Sequence, residues 1–158
     1  AAALAAQVSG RLEEDTGRVP VALTSLLGRC LDELQGEHPD FRPRAVLHGD
    51  FGPGHTLYDP DAVEVTGVID WGDAFVGDPA RDFIFVFEDW GDEFLGQAVA
   101  AYGPDDPEWF VERVYLHYLS DQLGWVLEAA AGDAIAEGVD GLRRALVSLE
   151  AVRSAGSG

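Results

Sequence analysis

Apolar residues recur at helical spacing through most of the chain and alternate in only one short central stretch. Ala2–Glu14 predicts a short helix, ended by the turn signal Asp15–Gly17. In Val21–Leu34 the apolar residues Leu23, Leu26, Leu27, Cys30, Leu31 and Leu34 follow i, i+3, i+4 spacing and predict a second helix. Gly36 through Pro43 reads as a turn-rich connector. The apolar run Ala45–Leu47 predicts a short strand that ends in His48-Gly49-Asp50. Phe51-Gly52-Pro53-Gly54 is a loop by composition. Thr56–Tyr58 and Val63–Ile69 flank a Pro60-Asp61 turn. In the second run Val63, Val65, Gly67 and Ile69 fall on one face, so the two predict a β-hairpin.

Beyond the hairpin the period returns to that of a helix. Asp78-Pro79 is an N-cap followed by proline at the first helical position. Phe83, Val86, Phe87 and Trp90 then predict one buried helix face. Asp92–Tyr102 reads as another helix, closed by Gly103-Pro104. Asp106-Pro107 repeats the cap signature and opens a long helix, Pro107–Ala131, apolar over most of its circumference and so expected to be central. Gly138 and Gly141 interrupt the pattern before a last helix at about Leu142–Val152. Ser154–Gly158 reads as a flexible tail. With neither repeat nor linker, the expected fold is one mainly α-helical α+β domain with a small central β-hairpin.

Composition narrows the function. A chain of 158 residues buries roughly 68–70% of its unfolded surface and needs no disulfide or metal to fold. The 29 acidic against 10 basic residues leave a net charge of −19. Such a surface repels phosphate backbones and anionic lipid, so neither nucleic acid nor membrane is an expected partner. It attracts cationic small molecules or metal ions, or is simply a solvated acidic surface. No apolar stretch approaches the roughly 18 residues that cross a bilayer. The Ala1–Ala6 run has no basic leader, and the lone Cys30 has no partner in the chain, so a cytoplasmic setting is expected. Lys, Asn and Met are absent. Without Lys there is neither Schiff-base chemistry nor a lysine clamp on a nucleotide phosphate. Without an initial Met the chain reads as processed or as a fragment.

The candidate chemistry lies in His48–Asp82. Asp50 follows the first strand, His55 ends the loop before the hairpin, and Asp70 ends the returning strand. A hairpin brings its ends together, so these three residues are expected to converge at one end of the sheet, a common plan for a site carried on loops. Two carboxylates and an imidazole can hold a divalent cation. Alternatively, one carboxylate serves as base for a hydroxyl nucleophile. No Gly-x-Ser-x-Gly elbow is present, so metal-assisted transfer to a substrate hydroxyl is the economical reading.

The ordered set His48-Gly49-Asp50, His55, Gly67-Val68-Ile69-Asp70-Trp71 and Gly77-Asp78-Pro79 with Asp82 resembles the aminoglycoside phosphotransferase family. These are small-molecule kinases with a protein-kinase-like fold. The spacing His-Gly-Asp-x-x-x-Gly-His is closest to the macrolide phosphotransferase branch. The resemblance implies a protein-kinase-like C-terminal lobe over residues 1–153, with 154–158 as the tail. It implies transfer of the γ-phosphoryl group of ATP or GTP to a hydroxyl of an aminoglycoside, macrolide or similar small molecule, and with it antibiotic resistance. Asp50 matches the catalytic aspartate. Asp70 matches the aspartate that binds Mg²⁺. His48, Asp78 and Asp82 match positions that support the catalytic loop. Where the family usually has Asn as a second metal ligand, this chain has His55, which binds Mg²⁺ directly, binds it through water, or contacts a phosphate. Glu88, Asp89, Asp92 and Glu93 are candidate contacts for a cationic acceptor, or a solvated helix end.

Complete members also carry an N-terminal nucleotide-binding lobe with a β-sheet and a Lys. This chain has no counterpart, so that lobe is expected to be absent and the isolated chain inactive. Two other readings stand beside transfer: a non-catalytic kinase-like binding module, and a metal-dependent hydrolase using His48, Asp50, His55 and Asp70.

Overall fold

The computed structural model of the protein describes residues 2–15, 17–34, 45–130 and 132–156. The expected connector at Gly36 through Pro43 lies outside them, as do the side chains of Cys30, Leu31 and Leu34. Helices α1 (Ala2–Glu13) and α2 (Val21–Leu34) precede four short strands: β1 (Ala45–Leu47), β2 (Thr56–Asp59), β3 (Glu64–Val68) and β4 (Phe75–Gly77). Helices α3 (Phe83–Tyr102), α4 (Pro107–Glu128) and α5 (Gly132–Gly156) follow. The architecture is mainly helical with small antiparallel sheets, as the pattern predicts. None of the described helices is long and apolar enough to cross a membrane. The chain divides into two compact units, residues 1–41 with 111–158 and residues 42–110.

The first unit is helical. Residues 114–116, 118, 119, 123 and 126 of α4 are buried, around more than one face, which makes it the central helix of the unit. Its C-terminal carbonyls need partners once helical bonding ends. Arg18 Nη1 supplies them, donating to the carbonyls of Val126, Leu127 and Ala129 at 2.9, 2.8 and 2.8 Å. Asp15 Oδ1 in turn accepts from the Arg18 N–H at 2.9 Å. Two expectations are corrected here. α5 runs unbroken through Gly138 and Gly141 rather than starting near Leu142. A Cβ at Gly138 would lie 2.5 Å from a Val126 methyl, and one at Gly141 would lie 2.7 Å from the Gln122 amide oxygen. These glycines admit α4 at close range; they do not stop the helix. α5 also continues through Ser154 to Gly156, where a tail was expected.

The second unit holds both sheets. β2 and β3 form the predicted hairpin, paired from Thr56↔Val68 to Asp59↔Glu64. The register shifts between Leu57 and Tyr58, which leaves Thr66 as an extra residue on β3. Such a bulge breaks the two-residue period. The expected single face Val63, Val65, Gly67 and Ile69 is therefore divided: Val65 and Val68 line one recess, whereas Gly67 lies against Leu57. A second sheet, β1 antiparallel to β4, was not anticipated; it pairs Ala45↔Gly77 and Leu47↔Phe75.

Asp78 caps a single 3-10 turn, Pro79–Arg81, by accepting from the Ala80 N–H at 3.0 Å. The expected pair of helices follows: α3 is two helical stretches that meet at a kink, with Gly91 at φ 77° and ψ −173° between Trp90 and Asp92. It ends as predicted at Gly103, left-handed, whose N–H donates to the Val99 carbonyl at 2.9 Å. The buried face of α3 is Ile84, Val86, Phe87, Leu95 and Val99; Trp90, expected to be buried, is 42% exposed. Asp106 opens α4 by accepting from the Trp109 N–H at 3.0 Å. The helix stops at Glu128, short of the expected Ala131.

Candidate active site

β1 delivers the chain to His48-Gly49-Asp50 with Leu47 and His48 buried. The His48 ring ties the loop to the hairpin. Its Nδ1 accepts from the Asp50 N–H at 3.3 Å, and its Nε2–H donates to the Ile69 carbonyl at 2.8 Å. A neutral imidazole that accepts at one nitrogen donates at the other, so this network assigns the Nε2–H tautomer. The ring also packs on Trp71, 4.8 Å between centroids, and stacks on His55 at 5.7 Å. Trp71 is nevertheless 52% exposed.

Asp82 holds the same loop from the start of α3. Oδ2 accepts from the His48 N–H at 2.7 Å and Oδ1 from the Gly49 N–H at 2.9 Å. Its side chain does not cap α3; both oxygens go to the loop. Gly49 has φ +87°, and a Cβ there would collide with the Asp73 carbonyl oxygen, so no other residue fits this turn.

His55 ends a 3-10 turn, Pro53–His55, and its carbonyl accepts from the Ile69 N–H at 2.9 Å. Its Nδ1–H donates to the Asp50 carbonyl at 2.7 Å, leaving Nε2 as the open nitrogen. Asp50 Oδ2 lies 3.6 Å from Nδ1, and Asp70 Oδ2 lies 3.9 Å from Nε2. Asp50, His55 and Asp70 are thus brought together around one imidazole, as hairpin closure predicts. Asp70 sits in the left-handed region at φ 62° and ψ 60°, which Asp tolerates at modest cost. The two carboxylate side chains are 49% and 69% exposed, so both face solvent.

Among the described residues, no group of three or more His, Cys, Asp or Glu side chains could by itself hold a metal ion. Zn²⁺ centres need at least three protein ligands, so the hydrolase reading finds no such centre there. Mg²⁺ is usually held by one or two carboxylates together with water and substrate phosphates. Asp70, exposed beside His55, fits that requirement.

The acidic residues Glu88, Asp89, Asp92 and Glu93 are all exposed, on either side of the Gly91 break. Asp89 comes against the loop, its Oδ2 3.7 Å from where a Cβ at Gly52 would stand. Three contributors escape a reading of side-chain chemistry: the Ile69 carbonyl that holds His48, the Asp73 carbonyl that enforces Gly49, and the aromatic wall beside the loop. The wall had a signal in the Phe83–Trp90 stripe, which points to a recess as much as to a core.

Residues 2–115 match the family model described as "Phosphotransferase enzyme family". The curated "Uncharacterized protein YcbJ" of Bacillus subtilis (strain 168) is 48% identical over 40 residues, 25% of this chain and 13% of that protein. Among solved structures, the GDP complex of wild-type aminoglycoside 2'-phosphotransferase-IIIa aligns with a TM-score of 0.76 and 29% identity, covering 91% of this chain and 50% of that one. The GDP and kanamycin complex of APH(2")-IIia aligns with a TM-score of 0.75 and 28% identity, covering 91% of this chain and 51% of that one. The chain spans about half the length of these structures. With more than half of its residues matched and a shared fold across nine-tenths of its length, the chain belongs to the phosphotransferase enzyme family.

Proposed function

We propose that this chain is the catalytic and acceptor-binding lobe of a small-molecule kinase. Joined to a nucleotide-binding lobe, it transfers the γ-phosphoryl group of ATP or GTP to a hydroxyl of an aminoglycoside, macrolide or similar cationic acceptor, and so confers antibiotic resistance. The carrying observation is the convergence of Asp50, His55 and Asp70 on one solvent-facing site. Asp50 accepts the hydroxyl proton as the acceptor oxygen bonds to the γ-phosphorus and the bond to the nucleoside diphosphate breaks. Asp70 and the open Nε2 of His55 would hold Mg²⁺, directly or through water. The chemistry such an ion would supply there is neutralisation of the phosphate charge. His48 and Asp82 position the loop, Asp78 caps the turn that leads to Asp82, and Asp89 is the carboxylate best placed for an acceptor ammonium.

The test joins the chain to a family nucleotide-binding lobe and measures transfer of labelled phosphate to a panel of antibiotics. Asp50→Ala is expected to lower kcat by about 10²–10⁴-fold with little change in nucleotide affinity. Undiminished transfer would refute the assignment.

A further inference from the structure

Beside the catalytic loop the second unit encloses an open recess of about 750 Å³. That volume suits one small organic molecule. Phe51 of the loop, Trp71, and Phe83, Val86, Trp90 and Phe94 of α3 form its walls. The Gly91 break separates Trp90 from Phe94 along α3, yet both rings reach the recess, 5.3 Å apart between centroids.

Of the polar side chains that line it, Asp82, His48 and Thr56 are already engaged, and the Tyr58 hydroxyl and the Trp90 N–H are the ones left to a ligand. Both Asp82 oxygens accept from loop N–H groups. Both His48 nitrogens are engaged with Asp50 and Ile69. The Thr56 hydroxyl donates to the Gly52 carbonyl at 3.0 Å. A polyhydroxylated ligand entering here would give up its water hydrogen bonds and find few replacements, which costs binding. An apolar ligand gives up none and gains ring contacts on several aromatic faces.

We propose that this recess binds an apolar, ring-bearing organic molecule. The inference goes beyond phosphoryl transfer and stands on the recess alone, because binding is read without nucleotide. It also bears on the loop: Phe51 and His48 flank Asp50 in sequence and both line the recess.

The test titrates the purified chain with N-phenyl-1-naphthylamine, a neutral fluorophore that brightens in apolar surroundings. The expected result is a saturable single-site signal. Ala98→Phe places a ring in the recess and is expected to weaken binding about tenfold or more. Phe94→Asp, at a half-exposed position, is expected to do the same by adding a charge to the wall. Val147→Phe, on the exposed surface of α5, is expected to bind as the parent does, and far-UV circular dichroism checks that each variant is folded. Glucosamine at the same concentration is expected not to displace the probe. A non-saturable signal, parental affinity in both wall variants, or displacement by glucosamine would overturn the proposal.

Discussion

Asp82 shows how much one side chain can carry. It is one carboxylate, yet its two oxygens satisfy the amides of two successive residues at the head of the catalytic loop. Asp82→Ala leaves both donors without a partner, and each orphaned group costs about 1–3 kcal/mol. Urea unfolding is expected to register that loss, with Asp82→Asn intermediate because its amide oxygen still accepts one bond. Parental stability in Asp82→Ala would mean that the loop holds itself. At this scale the sequence was informative where chemistry is local. Asp50, His55 and Asp70 stand out because a hairpin forces its ends together, which brings Asp70 to 3.9 Å from His55, while the short loop keeps Asp50 at 3.6 Å. The backbone carbonyls of Ile69 and Asp73 were not legible, because a carbonyl has no letter of its own.

The elements tell a second story about glycine. In a helix it costs about 1 kcal/mol relative to alanine, so its presence demands a reason, and the reasons here differ. At Gly96 of α3 an added Cβ meets nothing, whereas at Gly138 of α5 it would crowd Val126 and Trp125. Gly96→Ala is accordingly expected to raise the free energy of unfolding by about 0.5–1 kcal/mol. Gly138→Ala is expected to lower it by about 1–3 kcal/mol through overpacking. Thermal melts of the two variants compared with the parent would decide, and gains of equal size would refute close packing at Gly138. The same ambiguity explains why α5 read as broken: a helix stop and a close helix contact both spell glycine. β4 was hidden for another reason. It is three residues long, with Phe75 and Val76 both exposed, so it offers no alternation to detect. The Thr66 bulge was equally silent, since an extra residue in a strand changes register without changing composition.

The whole molecule carries −19 in 158 residues. Like charges at that density push against the folded state. Raising NaCl from about 0.1 M to about 1 M shortens the screening length from about 10 Å to about 3 Å and should relieve that push. The melting temperature is therefore expected to climb with NaCl, as scanning calorimetry would record; a fall would show that attractive pairs outweigh repulsion. The same acidity suits a cationic acceptor near Asp89, which gives the proposed substrate class a physical basis at this scale as well as at the site.

The grip of Asp82 on the loop has a kinetic reading too. Amide protons engaged by an acceptor exchange with solvent only when that engagement opens. The His48 and Gly49 amides have their acceptor at the entrance to α3, more than thirty positions along the chain. Their deuterium uptake therefore acts as a clock on the unlatching of α3 from the loop, not on the fraying of the hairpin that sits between them in sequence.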